Sequence, residues 1–311
     1  MSVAVLFPGQ GSQTVGMGAE LFEEHPDLLG ARADEILGWS LREMCLEGPE
    51  EALTRTEHAQ PALFAISYTL WQAFQGEYGG AIAGAAGHSL GEFTALAASG
   101  AVGFDDALAV VSARGRAMAA AADAVPSGMA ALIGSDEAQG REIAARSEAV
   151  GGTLQVANLN APGQVVMAGS HEDIQWLEEH GREMGVRRVI PLKVAGAFHS
   201  TFMQPATDGV GAALAQAEFS EPAFPVWSNT TARPHDPSHL AETLVAQVVS
   251  PVRFAESLLD MANAGIDTFI HVGPGDVTAG MARRTVGDAT VEVVSSPEDI
   301  PGVVKSLVTM G

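Results

Sequence analysis

The sequence predicts an α/β protein in two parts: a large domain on a parallel sheet and a small inserted domain of ferredoxin-like (βαββαβ) order. Three observations carry that prediction. Short apolar runs alternate with helical periodicities at both ends of the chain, as a parallel sheet with helices on both faces requires. The segment from about Val125 to Val194 has a different rhythm, with a tight turn joining its two middle strands. Finally, 311 residues with 47% hydrophobic and 17% charged side chains suffice for one large core plus an insert, and are too apolar for a disordered chain.

Each element follows in order. Val3–Phe7 is an apolar run ended by Pro8-Gly9, a buried strand leading into a loop. Leu63, Phe64, Ile66, Leu70, Trp71 and Phe74 recur at helical spacing over about 60 to 75, behind Pro61. Ile82–Ala86 is a second strand closed by Gly87. Helices follow at Ser89–Ala98 and Asp105–Ala120. The insert, 125–194, reads as strand Met129–Ile133, helix Glu137–Ala149 and strand Leu154–Asn158. A turn at Asn160-Ala161-Pro162-Gly163, strand Val165–Ala168, helix Glu172–Met184 and strand Arg188–Leu192 complete it. Pro225–Ser228, Thr268–Val272 and Val291–Val294 then rejoin the large domain, which takes 1–124 and 195–311.

Charge excludes several function classes. Sixteen Lys and Arg stand against 38 Asp and Glu, a net charge of −22. Nucleic acid requires a basic face, and anionic lipid does too. The single cysteine, Cys45, rules out an internal disulfide or a Cys-rich metal site. His235 and His239 are four apart, but Pro237 lies between them and no third ligand is apparent, so no metal is expected. Met1-Ser2-Val3 runs straight into an apolar strand without a basic region or cleavage signal, and no apolar stretch reaches membrane-spanning length. The expectation is a soluble cytoplasmic monomer without a membrane partner.

The sharpest chemical feature is Gly87-His88-Ser89-Leu90-Gly91-Glu92, directly after an apolar run and directly before a helix. It fits G-x-S-x-G, a strand-to-helix turn that exposes the serine hydroxyl, and makes the large domain α/β-hydrolase-like. The flanking glycines let the chain bend where a Cβ would collide. The helix N-terminus beyond offers unpaired N–H groups and partial positive charge. The N–H of Leu90 is then the natural oxyanion donor. A glycine-rich turn with a helix-starting serine would show the same pentapeptide.

A serine nucleophile needs a base. His88 adjoins Ser89, and neighbouring side chains on such a turn diverge. His199, in Gly196-Ala197-Phe198-His199-Ser200, lies where the chain re-enters the large domain and is the better candidate, although a lone histidine is more often structural. The remaining histidines mostly occupy polar stretches and are expected to face solvent. Phe7-Pro8-Gly9-Gln10-Gly11-Ser12-Gln13 tempts a dinucleotide reading, but Thr14 stands where the third glycine belongs. Such a loop can equally present a backbone N–H to an oxyanion, which pairs Gln10 with Leu90.

Five motifs then occur together and in order: Phe7–Gln13, Gly87–Glu92, Asn158-x-Asn160-x-Pro162-x-Gln164, Phe198-His199 and His271-Val-Gly-Pro-Gly275. In these the chain resembles the malonyl-CoA:acyl carrier protein transacylases of fatty acid synthesis and the discrete acyltransferases of polyketide synthases, over nearly its whole length. The resemblance implies ping-pong transfer of malonyl from malonyl-CoA, through an ester on Ser89 with His199 as base, to the phosphopantetheine thiol of an acyl carrier protein. It implies no cofactor beyond the coenzyme A thioester. It gives the third catalytic position to the backbone carbonyl of Gln247, which fixes the tautomer without a buried charge. Gln10 and Leu90 supply the oxyanion amides.

By the same resemblance Arg114 grips the malonyl carboxylate, although spacing alone fits a surface arginine equally well. Met118, one turn on, lines the same pocket unless it is an ordinary core methionine. Asn160 joins the substrate side. Phe198 matches a malonyl-selective pattern, because a ring near the α-carbon leaves no room for a branch, worth about 1–3 kcal/mol per methyl. That pattern usually begins with His, whereas here it begins with Gly196. An acidic carrier would be repelled at long range, so docking must use a local basic patch: Arg187, Arg188 and Lys193 on the small domain, Arg283 and Arg284 on the large one. Alternatives are a polyketide acyltransferase with malonyl or an unusual extender, a serine hydrolase that passes the acyl group to water, and a non-catalytic binding module.

Overall fold

The computed structural model describes residues 1–310, and its strands in chain order are β1 (Val3–Phe7), β2 (Gly84–Gly87), β3 (Ser127–Ile133), β4 (Gln155–Ala161), β5 (Gln164–Ser170), β6 (Arg188–Pro191), β7 (Val226–Trp227), β8 (Thr268–Val272) and β9 (Thr290–Val294). Five of them form one parallel sheet in the order β7-β2-β1-β8-β9. Every residue of β1 and β8 is buried, which is why β1 reads as an unbroken apolar run and β8 as a mainly apolar one holding Thr268 and His271. Alternate β1 residues serve two cores. Val3, Val5 and Phe7 pack on one side with Leu63, Phe64 and Leu108, while Ala4 and Leu6 face Phe254, Leu258 and Phe269.

The first core is covered by α1 (Thr56–Tyr78), α2 (Gly91–Ala98) and α3 (Phe104–Ala124). Helix α1 starts five residues before Pro61 rather than behind it. Tertiary packing holds that extra turn: a Cβ on Gly115 of α3 would lie 2.9 Å from the Thr56 carbonyl, so the two backbones touch. Helix α2 begins at Gly91 rather than Ser89, because Ser89 has φ +52° and cannot be helical. Five short helices fill Ala19–Thr54, where no periodicity was legible. Gly30 and Gly38 end two of them, and Gly48-Pro49 precedes the last.

The other four strands form an antiparallel sheet, β4-β5-β3-β6. With α4 (Glu137–Glu148) after β3 and α5 (His171–His180) after β5, this is the ferredoxin-like order. The β4–β5 turn is tighter than expected. Strand β4 runs through Asn160 to Ala161 over two register shifts, leaving only Pro162 and Gly163, whose φ is +74°. Helix α5 stops at His180, short of Met184, where the last turn unwinds through Gly181 and Gly185. The antiparallel sheet is stitched to the rest of the protein. Val252 donates to the Ala157 carbonyl at 2.9 Å and accepts from Leu159 N at 2.8 Å. Helices α6 (Leu240–Gln247), α7 (Phe254–Asn263) and α8 (Val277–Thr285) complete the frame of the site. Among the described residues no helix is long and apolar enough to cross a membrane.

Candidate active site

The site grows from the carboxyl ends of β1 and β2. A Cβ on Gly87 would fall 1.8 Å from the carbonyl carbon of Gly91, and one on Gly91 would fall 2.4 Å from the Phe7 carbonyl oxygen. Both positions therefore require glycine. Between them Ser89 takes a left-handed conformation that a serine rarely adopts, and the strain is held from two sides. Its N–H donates to Asn229 Oδ1 at 2.7 Å and its carbonyl accepts from Gln247 Nε2 at 2.9 Å.

Held there, Ser89 Oγ lies 2.8 Å from His199 Nε2, across 110 residues of sequence. His199 Nδ1 is 2.9 Å from the Gln247 carbonyl. A carbonyl can only accept, so Nδ1 carries the proton and Nε2 turns its lone pair toward the hydroxyl. Burial, followed by the nearby Arg114 charge, pushes the imidazole down to about 3. At neutral pH it is an unprotonated acceptor, the state general-base chemistry needs.

Arg114 is fully buried near the middle of α3. It donates to Gln60 Oε1 at 2.6 Å, Gln247 Oε1 at 2.8 Å and Ser89 Oγ at 3.1 Å, and its carbon stands 5.5 Å from the Phe93 ring centre. Its Nε is buried without a partner. Burial lowers the guanidinium to about 10, opposed by the charge of Glu92, so it remains cationic. Among the described residues no carboxylate comes within ion-pair distance of it. A buried cation answered only by neutral acceptors is matched to an incoming anion.

Ser89, His199 and Arg114 open onto a cavity of about 270 Å³, also lined by Gln10, Leu90, Met118, Asn160, Lys193 and Phe198. Among the described residues the Gln10 and Leu90 backbone N–H groups donate to no protein acceptor, while the Gln10 side chain bonds Thr56 Oγ1 at 3.2 Å. Asn160 Oδ1 is 2.8 Å from His88 Nε2, so the two side chains hold one another. Burial lowers the His88 imidazole from its ordinary value. Phe198 is buried, and a Cβ on Gly196 would meet Ala122 Cβ at 2.6 Å, which accounts for glycine where the malonyl pattern usually has His. A larger, more open groove of about 840 Å³ shares only His199 with this cavity. Cys45 is buried away from it, and burial raises the thiol to about 12.

Not every expected residue converges. Of the five basic side chains only Lys193 lines the cavity. Arg187 and Arg188 are exposed at the far end of β6, opposite Ile133. Arg283 and Arg284, also exposed, donate to the carbonyls of Val291 and Gly280. Two of the remaining histidines, most of which were expected to face solvent, turn their side chains inward to polar partners. His271 lies 2.5 Å from Thr278 Oγ1 and 2.9 Å from the Gly273 carbonyl, and His235 lies 2.6 Å from Glu92 Oε1. His235 and His239 thus face different partners, the latter Asp236. Sequence reasoning passed over Gln60, Glu92 and Asn229. Glu92 carried a signal: an acid in the apolar helix Gly91–Ala98 is buried only if paired.

Known proteins resemble the chain over nearly its whole length. The acyl transferase domain family matches residues 5–303. The malonyl CoA-acyl carrier protein transacylase of Bacillus subtilis is 39% identical over 308 residues, covering 98% of this chain and 97% of the relative. The solved malonyl CoA-acyl carrier protein transacylase of Coxiella burnetii superposes with a TM-score of 0.92 at 31% identity, covering 98% and 97% of the two chains. A malonyl-transacylase solved in complex with a type II polyketide synthase acyl-carrier protein also gives 0.92, at 32% identity, over 98% and 100%.

Proposed function

The chain belongs to the acyl transferase domain family, and from that premise we propose that it carries malonyl from malonyl-CoA to the phosphopantetheine thiol of an acyl carrier protein. Ser89 Oγ attacks the thioester carbonyl while His199 Nε2 takes its proton. The Gln10 and Leu90 amides receive the oxyanion. Collapse expels coenzyme A, with His199 returning the proton to the sulfur, and leaves malonyl on Ser89 as an ester. The carrier thiol, deprotonated by His199, reverses the sequence. Throughout, the Gln247 carbonyl steadies the imidazolium, and no resident cofactor takes part.

Arg114 pairs with the malonyl carboxylate, which answers its buried charge and fixes the acyl group over Ser89. Met118, Asn160 and Phe198 shape the acyl end of the cavity, and Phe198 disfavours an α-branch. The single observation that carries this reading is the buried guanidinium, lacking a carboxylate partner, 3.1 Å from a serine hydroxyl that also touches an imidazole. A serine esterase has no use for such a cation. We also assign 125–194 to a small domain that covers a large catalytic domain of 1–124 and 195–311. Lys193, with Arg187, Arg188, Arg283 and Arg284 further out, steers the carrier.

Thioester turnover measured with and without phosphopantetheinylated carrier protein tests the reading. Transfer predicts a single equivalent of coenzyme A without the carrier and sustained multiple-turnover release only when the carrier is present, with malonyl recovered on it. Equal turnover into free malonate without the carrier would make the protein a hydrolase.

A further inference from the structure

Glu92 is fully buried, yet none of its contacts is to Arg114. Its Oε1 faces His235 Nε2 at 2.6 Å. Its Oε2 accepts from Gln247 Nε2 at 2.6 Å and from Asn229 N at 3.2 Å. Those last two residues are the ones that hold Ser89: Asn229 Oδ1 receives the Ser89 N–H, and Gln247 Nε2 donates to the Ser89 carbonyl. Asn229 also donates from Nδ2 to the Gly87 carbonyl at 2.7 Å, gripping the other end of the bend. One carboxylate thus ties together both clamps on a backbone conformation that serine adopts only under constraint.

The carboxylate also decides which way the Gln247 amide points. A flipped amide would set its carbonyl oxygen against Glu92 and against the Ser89 carbonyl, both acceptors only. With the observed orientation Gln247 Oε1 must face outward, where it receives Arg114 at 2.8 Å. The backbone carbonyl of the same residue receives His199 Nδ1. Three functional groups therefore take their positions from a single glutamine whose side chain Glu92 fixes.

We propose that Glu92, with Asn229 and backed by His235, is a positioning residue of the transfer reaction: it locks Ser89 in its strained turn and sets, through Gln247, the aim of Arg114. It touches no reacting atom. This rests on Ser89 being the nucleophile, as argued above. A 1 Å displacement of a reacting group can slow chemistry about a hundredfold, the scale expected on losing such a lock. Glu92→Gln keeps one oxygen to accept from Gln247 and Asn229, and its amide can donate to His235, so it retains the lock without the charge. Glu92→Ala removes it.

Rapid-quench intact-mass measurement of the malonyl ester on Ser89 tests this with malonyl-CoA and, in parallel, acetyl-CoA. The wild-type protein must first form the ester; if it does not, the functional reading fails rather than the positioning one. Given that ester, Glu92→Ala is expected to acylate about 10²-fold more slowly and to narrow its malonyl-over-acetyl preference, while Glu92→Gln recovers to within about tenfold of wild type. Asn229→Ala, which leaves Gln247 in place, should slow acylation as much without altering that preference. The Glu92→Ala/Asn229→Ala double variant should be little slower than either single one, because the two act through one chain. A folded Glu92→Ala or Asn229→Ala protein acylated at the wild-type rate would overturn the proposal. So would a Glu92→Gln protein as slow as Glu92→Ala with unchanged preference. Should Glu92→Ala not fold, Asn229→Ala and Glu92→Gln decide the matter by the same criteria.

Discussion

The two sheets contribute to the cavity in different ways. The parallel sheet delivers Gln10, Ser89 and Leu90 from loops at the ends of β1 and β2, where glycines allow close approach and both backbone polar groups of Ser89 are held. The antiparallel sheet delivers Met129, Asn158, Asn160 and Val166, which line the cavity; Asn160 bonds His88 rather than Ser89 or His199. In the proposed mechanism the reacting serine sits at the end of the doubly covered sheet, and part of the cavity wall comes from the smaller one. Substitutions on the first should therefore change rates, and substitutions on the second should change which substrate is held.

The largest effect expected is that of His199→Ala, which should slow Ser89 acylation by roughly 10²–10⁴-fold, the usual worth of a general base. Stopped-flow release of coenzyme A would show it, and an unchanged rate would remove His199 from its role. Next, Arg114→Ala should lower kcat/KM for malonyl-CoA about 10²-fold while leaving acetyl-CoA much less affected, since a charge-assisted pair is worth about 1.5–3 kcal/mol. An equal loss for both thioesters would mean that Arg114 shapes the site rather than reads the carboxylate. On the antiparallel side, Asn160→Ala should raise KM for malonyl-CoA by less than about tenfold and leave kcat nearly intact, the scale of one neutral hydrogen bond. A collapse of kcat there would erase the division between the sheets. Smallest for acylation, reversing Arg187 with Arg188 and Arg283 with Arg284 to Glu should raise the apparent KM for carrier protein and spare ester formation from malonyl-CoA. Equal damage to both half-reactions would end the docking assignment.

Acid titration sharpens the same contrast. With His199 held near 3 by burial and by Arg114, kcat/KM for acylation should stay level from neutral pH down to about 5, where a free histidine of pKa about 6.5 would already be protonated. An acid limb near 6.5 would contradict that environment. The sign for stability follows: His199 is neutral when folded, so its contribution is complete above about 6.5 and is lost as pH falls from there toward 3.

How much was legible in the sequence depended on how local the cause was. Val3–Phe7 and Thr268–Val272 were readable to the residue because strands buried on both faces leave mainly apolar runs, broken in the second only by Thr268 and His271. The Ser89 bend was readable because glycine on both sides of a serine has a steric reason confined to five residues. His199 was already the better candidate base from its place where the chain re-enters the large domain. The roles of Arg114 and Gln247 came only through the family resemblance, since the contacts joining these residues to Ser89 or to one another span 25 to 158 residues. The early start of α1 depended on Gly115 of another helix, and the short helices of 19–54 had no periodicity to find. Glu92, Asn229 and His235 were missed for the same reason: each polar contact crosses about 140 residues. Of the five basic residues only Lys193 lines the cavity, a placement that could not be read beforehand because sequence gives charge but not the direction a surface side chain takes.

Everything turns on whether the hydroxyl in the bend becomes acylated. Mixing the protein with malonyl-CoA alone, then peptide-mapping the product by mass, should give one equivalent of coenzyme A and a gain of about 86 Da on Ser89, absent from Ser89→Ala. A modification elsewhere on the chain, or one that persists in Ser89→Ala, would contradict the account.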